Sequence, residues 1–458
     1  MQIDFREGIG GMPALSLRVY LGPHDTWTGT VLALADAVSG AGEGVAVMSA
    51  DGSCTSPSFA TQAHGAINGV PYLRFSTAAY QGDPGPLGEA RTREGHVEIV
   101  ALADLTGTLA AALARGPGGE PADCAAVAAL HGPTAETGAP DGALVGHAAV
   151  IRVAEGTYFP YRATALAGFT TRVLLSSPAD AVDPLGEAGD PASGAAAHVL
   201  AGGRPVEAAY PADRRIDAVS AALMADRLLN DHLRDAAIGA HSDWVVTFPT
   251  KRFYTKAGAA AIAPFVESFG SEGSCVSTGL TQYDREGRIV PQGGFGAPAT
   301  TPSLCRTTNV IAFLDAPQSV AASGVLGSRL LARGYGVRGT AGPSVLNLDG
   351  AEAHALRPSV AAPGVAAGVC SAVSRRSASG LRASSTRRSP KACCPTTPAW
   401  CRMCRALPAR RVRPCATDRR GCRPALAGRH PRCIDTIARW HRRLGYSRFD
   451  PDANGASS

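Results

Sequence analysis

The eight residues ALSLRVYL at 14–21 place Leu15, Leu17, Val19 and Leu21 on one side and Ser16, Arg18 and Tyr20 on the other. A period of two is that of a strand with one buried face. Comparable short runs recur at 97–102, 149–153, 172–175 and 310–314, separated by turn-forming spacers such as YQGDPGPLGEA and SSPADAVDPLGEAGDPASG. Many short strands between Gly, Pro and Asp clusters argue against a doubly wound α/β fold. The expected class is mainly β, with β-sandwich-like domains.

One segment departs from this rhythm. Ile216, Val219, Leu223, Leu228, Leu229 and Leu233 keep a roughly helical stripe, with Asp213 as N-cap and Gly239 as stop, so one amphipathic helix is predicted over 216–236. It runs into SDWVVTFPTKRFYT at 242–255, where Trp244, Val246 and Phe248 share a strand face until Pro249 removes a ladder donor. That alternation reads as scaffold. Lys251 and Arg252 then fall beyond the sheet and are expected to matter little to stability. The rival reading of Lys251, Arg252, Phe253 and Tyr254 is a ligand edge for a glycan or an anion. The expected organisation is a β domain over 1–180, an acidic linker or loop over 181–200, a second β domain over 201–358, and a tail over 359–458.

The tail is set apart by its chemistry. The net charge of +6 conceals 20 Lys and Arg against 4 acids over 361–458, and 24 against 34 before them. Eight of the 12 cysteines lie in the tail, and its cations are 19 Arg to one Lys. A region built for nucleic acid would mix both cations with aromatic stacking residues, but 361–440 has no Phe or Tyr. Nucleic acid is therefore not an expected partner. Arg, Ala, Pro, Ser, Gly and Cys are what GC-rich DNA yields in a wrong reading frame, so the tail reads as frameshifted and too poor in large apolar residues to order itself. Its rival reading is a zinc module built on Cys401 and Cys404 with Cys415, Cys422, Cys433 or His430, but a single C-x-x-C is half a site.

Catalytic and cofactor signatures are sparse. There is no G-x-S-x-G elbow and no H-E-x-x-H, and the histidines are scattered and read as surface or turn residues. Gly334, Gly336 and Gly339 form a G-x-G-x-x-G without the flanking strand and helix a dinucleotide site requires. Asp243, Asp284 and Glu286 could act as an acid/base pair only if the fold joined them; solvated turn roles are expected. Asp180, Asp183, Glu187 and Asp190 lack the spacing of a calcium loop and read as a disordered surface loop. Arg-Glu-Gly recurs at Arg6, Arg93 and Arg285, read as strand-end turns with a positive-φ Gly and exposed charges. No catalytic residue, cofactor or metal is assigned. No apolar run is long enough for a membrane helix.

Taken in order, FREG, VYLGPHDTWTG, ADGSCTSP, ARTREGHVEIV, GTYFPYRATAL, IDAVSAALMAD, SDWVVTFPTKRFY, YDREG and NVIAFL resemble a family of proteobacterial secreted proteins usually labelled cell surface protein. The resemblance runs to about residue 358. It implies an extracellular or cell-surface, β-rich protein, with a surface glycan or another surface protein as partner, and it carries no reaction or catalytic residue. Its members carry a signal peptide and an additional N-terminal strand segment, so the first domain is expected to be truncated at its start, and the chain as written lacks an export leader. In an exported protein, the four body cysteines are expected to join in sequence, Cys54 with Cys124 and Cys275 with Cys305, one of three pairings. The function expected is a non-catalytic exported surface or structural protein; the alternative is an extracellular hydrolase whose site is not visible in the sequence.

Overall fold

The computed structural model describes residues 1–347 apart from 41, 142–143, 153–156, 178–179, 181, 202–203, 224, 226, 234–239, 285, 291–302, 315–320 and 337–340, and beyond them only Ala378–Ala383. The fold is mainly β, and Met1–Arg388 makes one compact unit. The first eight strands are Gln2–Glu7 (β1), Pro13–Tyr20 (β2), Thr30–Ala33 (β3), Val45–Met48 (β4), Cys54–Ser56 (β5), Gly65–Ile67 (β6), Val70–Arg74 (β7) and Gly95–Val100 (β8). They form two sheets, ordered β5-β2-β1-β8 and β3-β4-β7-β6. Ile3, Phe5, Leu17 and Val19 from the first meet Val45, Val47 and Leu73 from the second, closing a sandwich over an apolar core.

Strand β1 is buried along its whole length. Ile3 and Phe5 face the sandwich core, so alternation sends Gln2, Asp4 and Arg6 to the opposite face, where they are buried too. Two of the three Arg-Glu-Gly motifs meet here, because Arg6 pairs with His96 and Glu7 with Gly95 across β1 and β8. This corrects the expectation of exposed charges at Arg6 and Glu7, which are buried, while Arg93 is exposed as expected. A Cβ on Gly95 would sit 1.8 Å from the Arg6 carbonyl oxygen, so this glycine serves close backbone approach rather than positive φ. Of the motif glycines, Gly287 has the expected positive φ, at 77°.

A middle layer follows. Asp104–Leu105 (β9) pairs with Thr137–Gly138 (β10), His147–Arg152 (β11) with Thr157–Arg162 (β12), and Ala195–Ala201 (β13) with Arg204–Tyr210 (β14). The short helices are Leu34–Ala37 (α1), Gly107–Ala112 (α2), Cys124–Ala128 (α3) and Arg215–Ala222 (α4). Asp123 caps α3 by accepting from the Ala125 and Ala126 amides. Residues 172–175 are not a strand: Leu174 and Leu175 fill a core with Leu102, Leu113 and Val127 from irregular backbone.

The predicted 216–236 helix is cut short. Only Arg215–Ala222 is helical, and Asp213 lies in the 3₁₀ turn before it rather than at the N-cap. Arg227–Leu233 is strand β15, with Leu228 and His232 turned inward and Leu229 turned to solvent. The Leu228-Leu229 doublet satisfies a helical period and a strand period equally, and pairing with a distant strand decides between them. The remaining strands are His241–Thr247 (β16), Gly279–Tyr283 (β17), Ile289–Val290 (β18), Thr308–Leu314 (β19), Leu331–Gly336 (β20), Ala341–Asn347 (β21) and Ala378–Ala383 (β22). They give sheets ordered β15-β21-β17-β18 and β20-β19-β16-β22. Trp244, Val246, Ile311 and Phe313 pack against Leu280 and Leu346 to close a second sandwich. Strand β16 ends just before Pro249, as its missing donor requires. Apart from β22, the tail lies outside the described residues, and with it the readings of a frameshift and of a zinc module.

Residues on either side of 181–200 touch directly. Thr308 N donates to Gly8 O (2.8 Å) and Thr307 N to Ile9 O (2.9 Å). The charged residues between them form the candidate site.

Candidate functional site

Arg252 stands at the centre of this contact. The 3₁₀ turn Lys251–Phe253 follows Pro249 and directs its guanidinium between two carboxylates. Nε and Nη2 donate to Asp183 at 2.7 and 3.0 Å, while Nη1 and Nη2 donate to Glu98 at 2.7 and 2.8 Å. Glu98 also accepts from Arg6 Nε at 2.6 Å and lies 3.1 Å from His96 Nε2, which must donate to a carboxylate. Arg6 Nη2 reaches Asp4 at 3.1 Å and Asp183 at 3.0 Å. Two arginines thus hold three carboxylates in fork-to-fork geometry. Burial would raise the Glu98 carboxyl, but Arg252, His96 and Arg6 outweigh it and hold Glu98 well below the usual carboxylate range. Burial would lower Arg252, and Glu98 and Asp183 raise it instead.

Oxygens of Asp4, Glu98 and Asp183 lie within 4.8 Å of one another, a spacing a metal ion could use. Arg6 and Arg252 already donate to all three residues, so the donor set is engaged by guanidinium cations and does not fit a divalent ion.

The expected ligand edge is interior. Lys251 is 2% exposed, Arg252 8% and Tyr254 3%, so none of the three offers an exposed edge, and Phe253 is half-buried. Lys251 Nζ donates to the carbonyls of Ser274, Cys305 (2.8 Å) and Leu304 (3.4 Å) and sits 4.9 Å from the Phe248 ring centre. Phe253 stacks under the Arg252 guanidinium at 4.6 Å. Tyr254 Oη donates to Asp217 Oδ1 at 2.7 Å and lies 2.7 Å from Ser220 Oγ. A strand that ends at Pro249 makes these side chains peripheral on paper, but the chain turns back under the sheet instead of leaving it.

The other candidates separate. Asp243 is 1% exposed rather than solvated, and its Oδ2 accepts the Val325 and Leu326 amides at 2.9 Å each. Asp284 holds its own turn, accepting from the Glu286 and Arg288 amides, and Glu286 is exposed. No hydrogen bond or ion pair among the described residues joins Asp243 to either. The acidic segment 180–190 is an ion-pair and turn framework: Asp183 binds Arg6 and Arg252, Glu187 binds Arg172 and Arg215, and Asp190 accepts the Ala192 and Ser193 amides. Gly334 and Gly336 belong to a strand, not to a strand-to-helix loop, and Gly339 lies outside the described residues.

One contact had no sequence signal. His232 Nδ1 lies 2.8 Å from Ser344 Oγ, and the imidazole stacks on Phe313 at 5.0 Å. Burial pushes His232 below its ordinary value, so the neutral ring is favoured. Ser344 is 0% exposed and His232 2%, which corrects the expectation of a surface histidine.

Both expected disulfides are formed, Cys54 to Cys124 with S–S 2.00 Å and Cys275 to Cys305 with S–S 2.03 Å. Among the described residues no helix is long and apolar enough to cross a membrane. Compared with known proteins, the chain matches no family model, no curated protein and no solved structure.

Proposed function

We propose that this chain is a non-catalytic structural protein of the bacterial cell exterior, exported and displayed at the surface. The observation that carries this reading is the pair of disulfides, since such bonds persist in oxidising compartments and are rare in reducing ones. Each closes a long loop, 70 and 30 residues apart in sequence. On the loop-entropy account each contributes about 4 kcal/mol. The charged clusters support the same reading, because their arginines and carboxylates are engaged with one another rather than held out to a substrate. A surface glycan or a second surface protein is the partner class proposed, met by groups other than Lys251 and Arg252.

The second reading, an extracellular hydrolase, has one observation in its favour: the Ser344–His232 contact has the geometry of a nucleophile and its base. Against it, both side chains lie inside the second sandwich, and a nucleophile must reach its substrate.

The test is made on protein produced in an oxidising compartment. Mass mapping is expected to return Cys54–Cys124 and Cys275–Cys305 peptides, and generic esterase, peptidase and glycosidase substrates are expected to show no turnover. Four free thiols at these positions would remove the basis of the surface assignment. A saturable activity abolished by Ser344→Ala in a protein that still folds would replace it with the hydrolase.

A further inference from the structure

The two sandwiches have separate apolar cores, and neither core cluster contains a group that titrates in acid. Where they meet directly, the contact is mainly polar, with the Leu330 and Phe269 side chains lying against Gly8 and Gly10. Its polar part consists of the Arg6, Arg252, Asp4, Glu98 and Asp183 network with His96, the two amide bonds from Thr307 and Thr308, and Glu94, which accepts from the Arg329 amide at 2.7 Å and from the Ser328 hydroxyl. An apolar link runs through the middle layer, where Phe169 touches one cluster with Leu174 and another with Leu185, Val219 and Phe253.

We infer that this ionic joint is an acid-operated hinge, at which the two sandwiches part at low pH about the middle layer while each keeps its own core. The charge count carries the argument. Three carboxylates face two arginines and His96, and Glu98 is the carboxylate that Arg6, Arg252 and His96 all share. Protonating Glu98 removes that common counter-charge and leaves the two buried guanidiniums without the buried group that bridges them. The other groups facing the joint do not relieve this. Arg18 on β2 adds a further cation, bonded to Gln2 and the Ser176 carbonyl, and Thr308 on β19 offers His96 a hydroxyl at 3.2 Å.

The sign is that of a carboxyl, here Glu98, held below its ordinary value. The joint is fully formed above about pH 4–5, the unfolded carboxylate range, and is lost as the pH falls towards the folded value. His232 and Asp243 border the second core, so a collapse that began with them would take the aromatic packing of that sandwich with it.

Small-angle scattering of the full chain, titrated from neutral to acid alongside near-ultraviolet circular dichroism, tests this. The expected result is a reversible rise in the radius of gyration well short of the roughly twofold expansion of an unfolded chain, with the near-ultraviolet signal kept. Retention of that signal also separates opening from a molten globule, which loses it. The Glu98→Gln, Asp183→Asn double variant, which imitates protonation, is expected to be expanded already at neutral pH with its near-ultraviolet signal intact. Expansion and loss of that signal in a single step would overturn the inference, as would a wild-type chain that stays compact down to the pH at which it unfolds. If the double variant fails to fold, the wild-type titration decides alone.

Discussion

Arg252→Ala is expected to destabilise the protein by about 3–5 kcal/mol, the usual effect of removing one partner from a buried ion pair. The loss is not the value of the bonds themselves. Glu98 and Asp183 would be left facing each other, with Arg6 as the guanidinium serving both. A conservative Arg252→Lys should recover little, since one ammonium cannot reproduce four donor contacts to two carboxylates. Chemical denaturation of the two variants beside the wild type measures both. A change under about 1 kcal/mol, the range of exposed pairs, would mean the network is hydrated in solution and would return Arg252 to the peripheral role its sequence position suggests.

Trp244→Ala should destabilise by a similar amount, about 3–5 kcal/mol, for a different reason. The indole is completely buried, its Nε1 donates to the Asp231 carbonyl at 3.3 Å, and its edge meets the Phe313 ring at 5.3 Å. Truncation leaves a cavity between two sheets that are each fixed by their own hydrogen bonds and cannot collapse into it. Trp244→Phe should keep much of the packing and lose mainly the indole donor. An unchanged melting curve for the alanine variant would instead place Trp244 at an exposed binding edge.

The contrast between these residues shows what was legible in the sequence. Trp244, Val246 and Phe248 declare a buried face because three large apolar groups on one side of a strand are seldom left in water. The disulfide pairing was likewise within reach, four cysteines leaving few arrangements. The charged joint was not. Asp4 and Arg6 alternate with Ile3 and Phe5 just as a solvent-facing row would, and alternation says which residues share a face but not whether water or protein covers it. Glu98, Asp183 and Arg252 sit 92, 177 and 246 positions from Arg6 in number, and no local pattern links them. The helix over 216–236 failed for a related reason: β15 is a strand because β21, more than a hundred residues later, lies beside it. His232 and Ser344 meet only through that same pairing.

The enclosure of Lys251 reaches beyond the fold. Residues 1–388 contain just two lysines, Lys251 and Lys256, and Lys256 is exposed while Lys251 is sealed among carbonyls and aromatic rings. Acylating reagents and lysine-specific crosslinkers can therefore address the native body through a single side-chain amine. Among its side-chain amines the body would be coupled through Lys256, and a crosslink found at Lys251 would report a molecule that had already come apart.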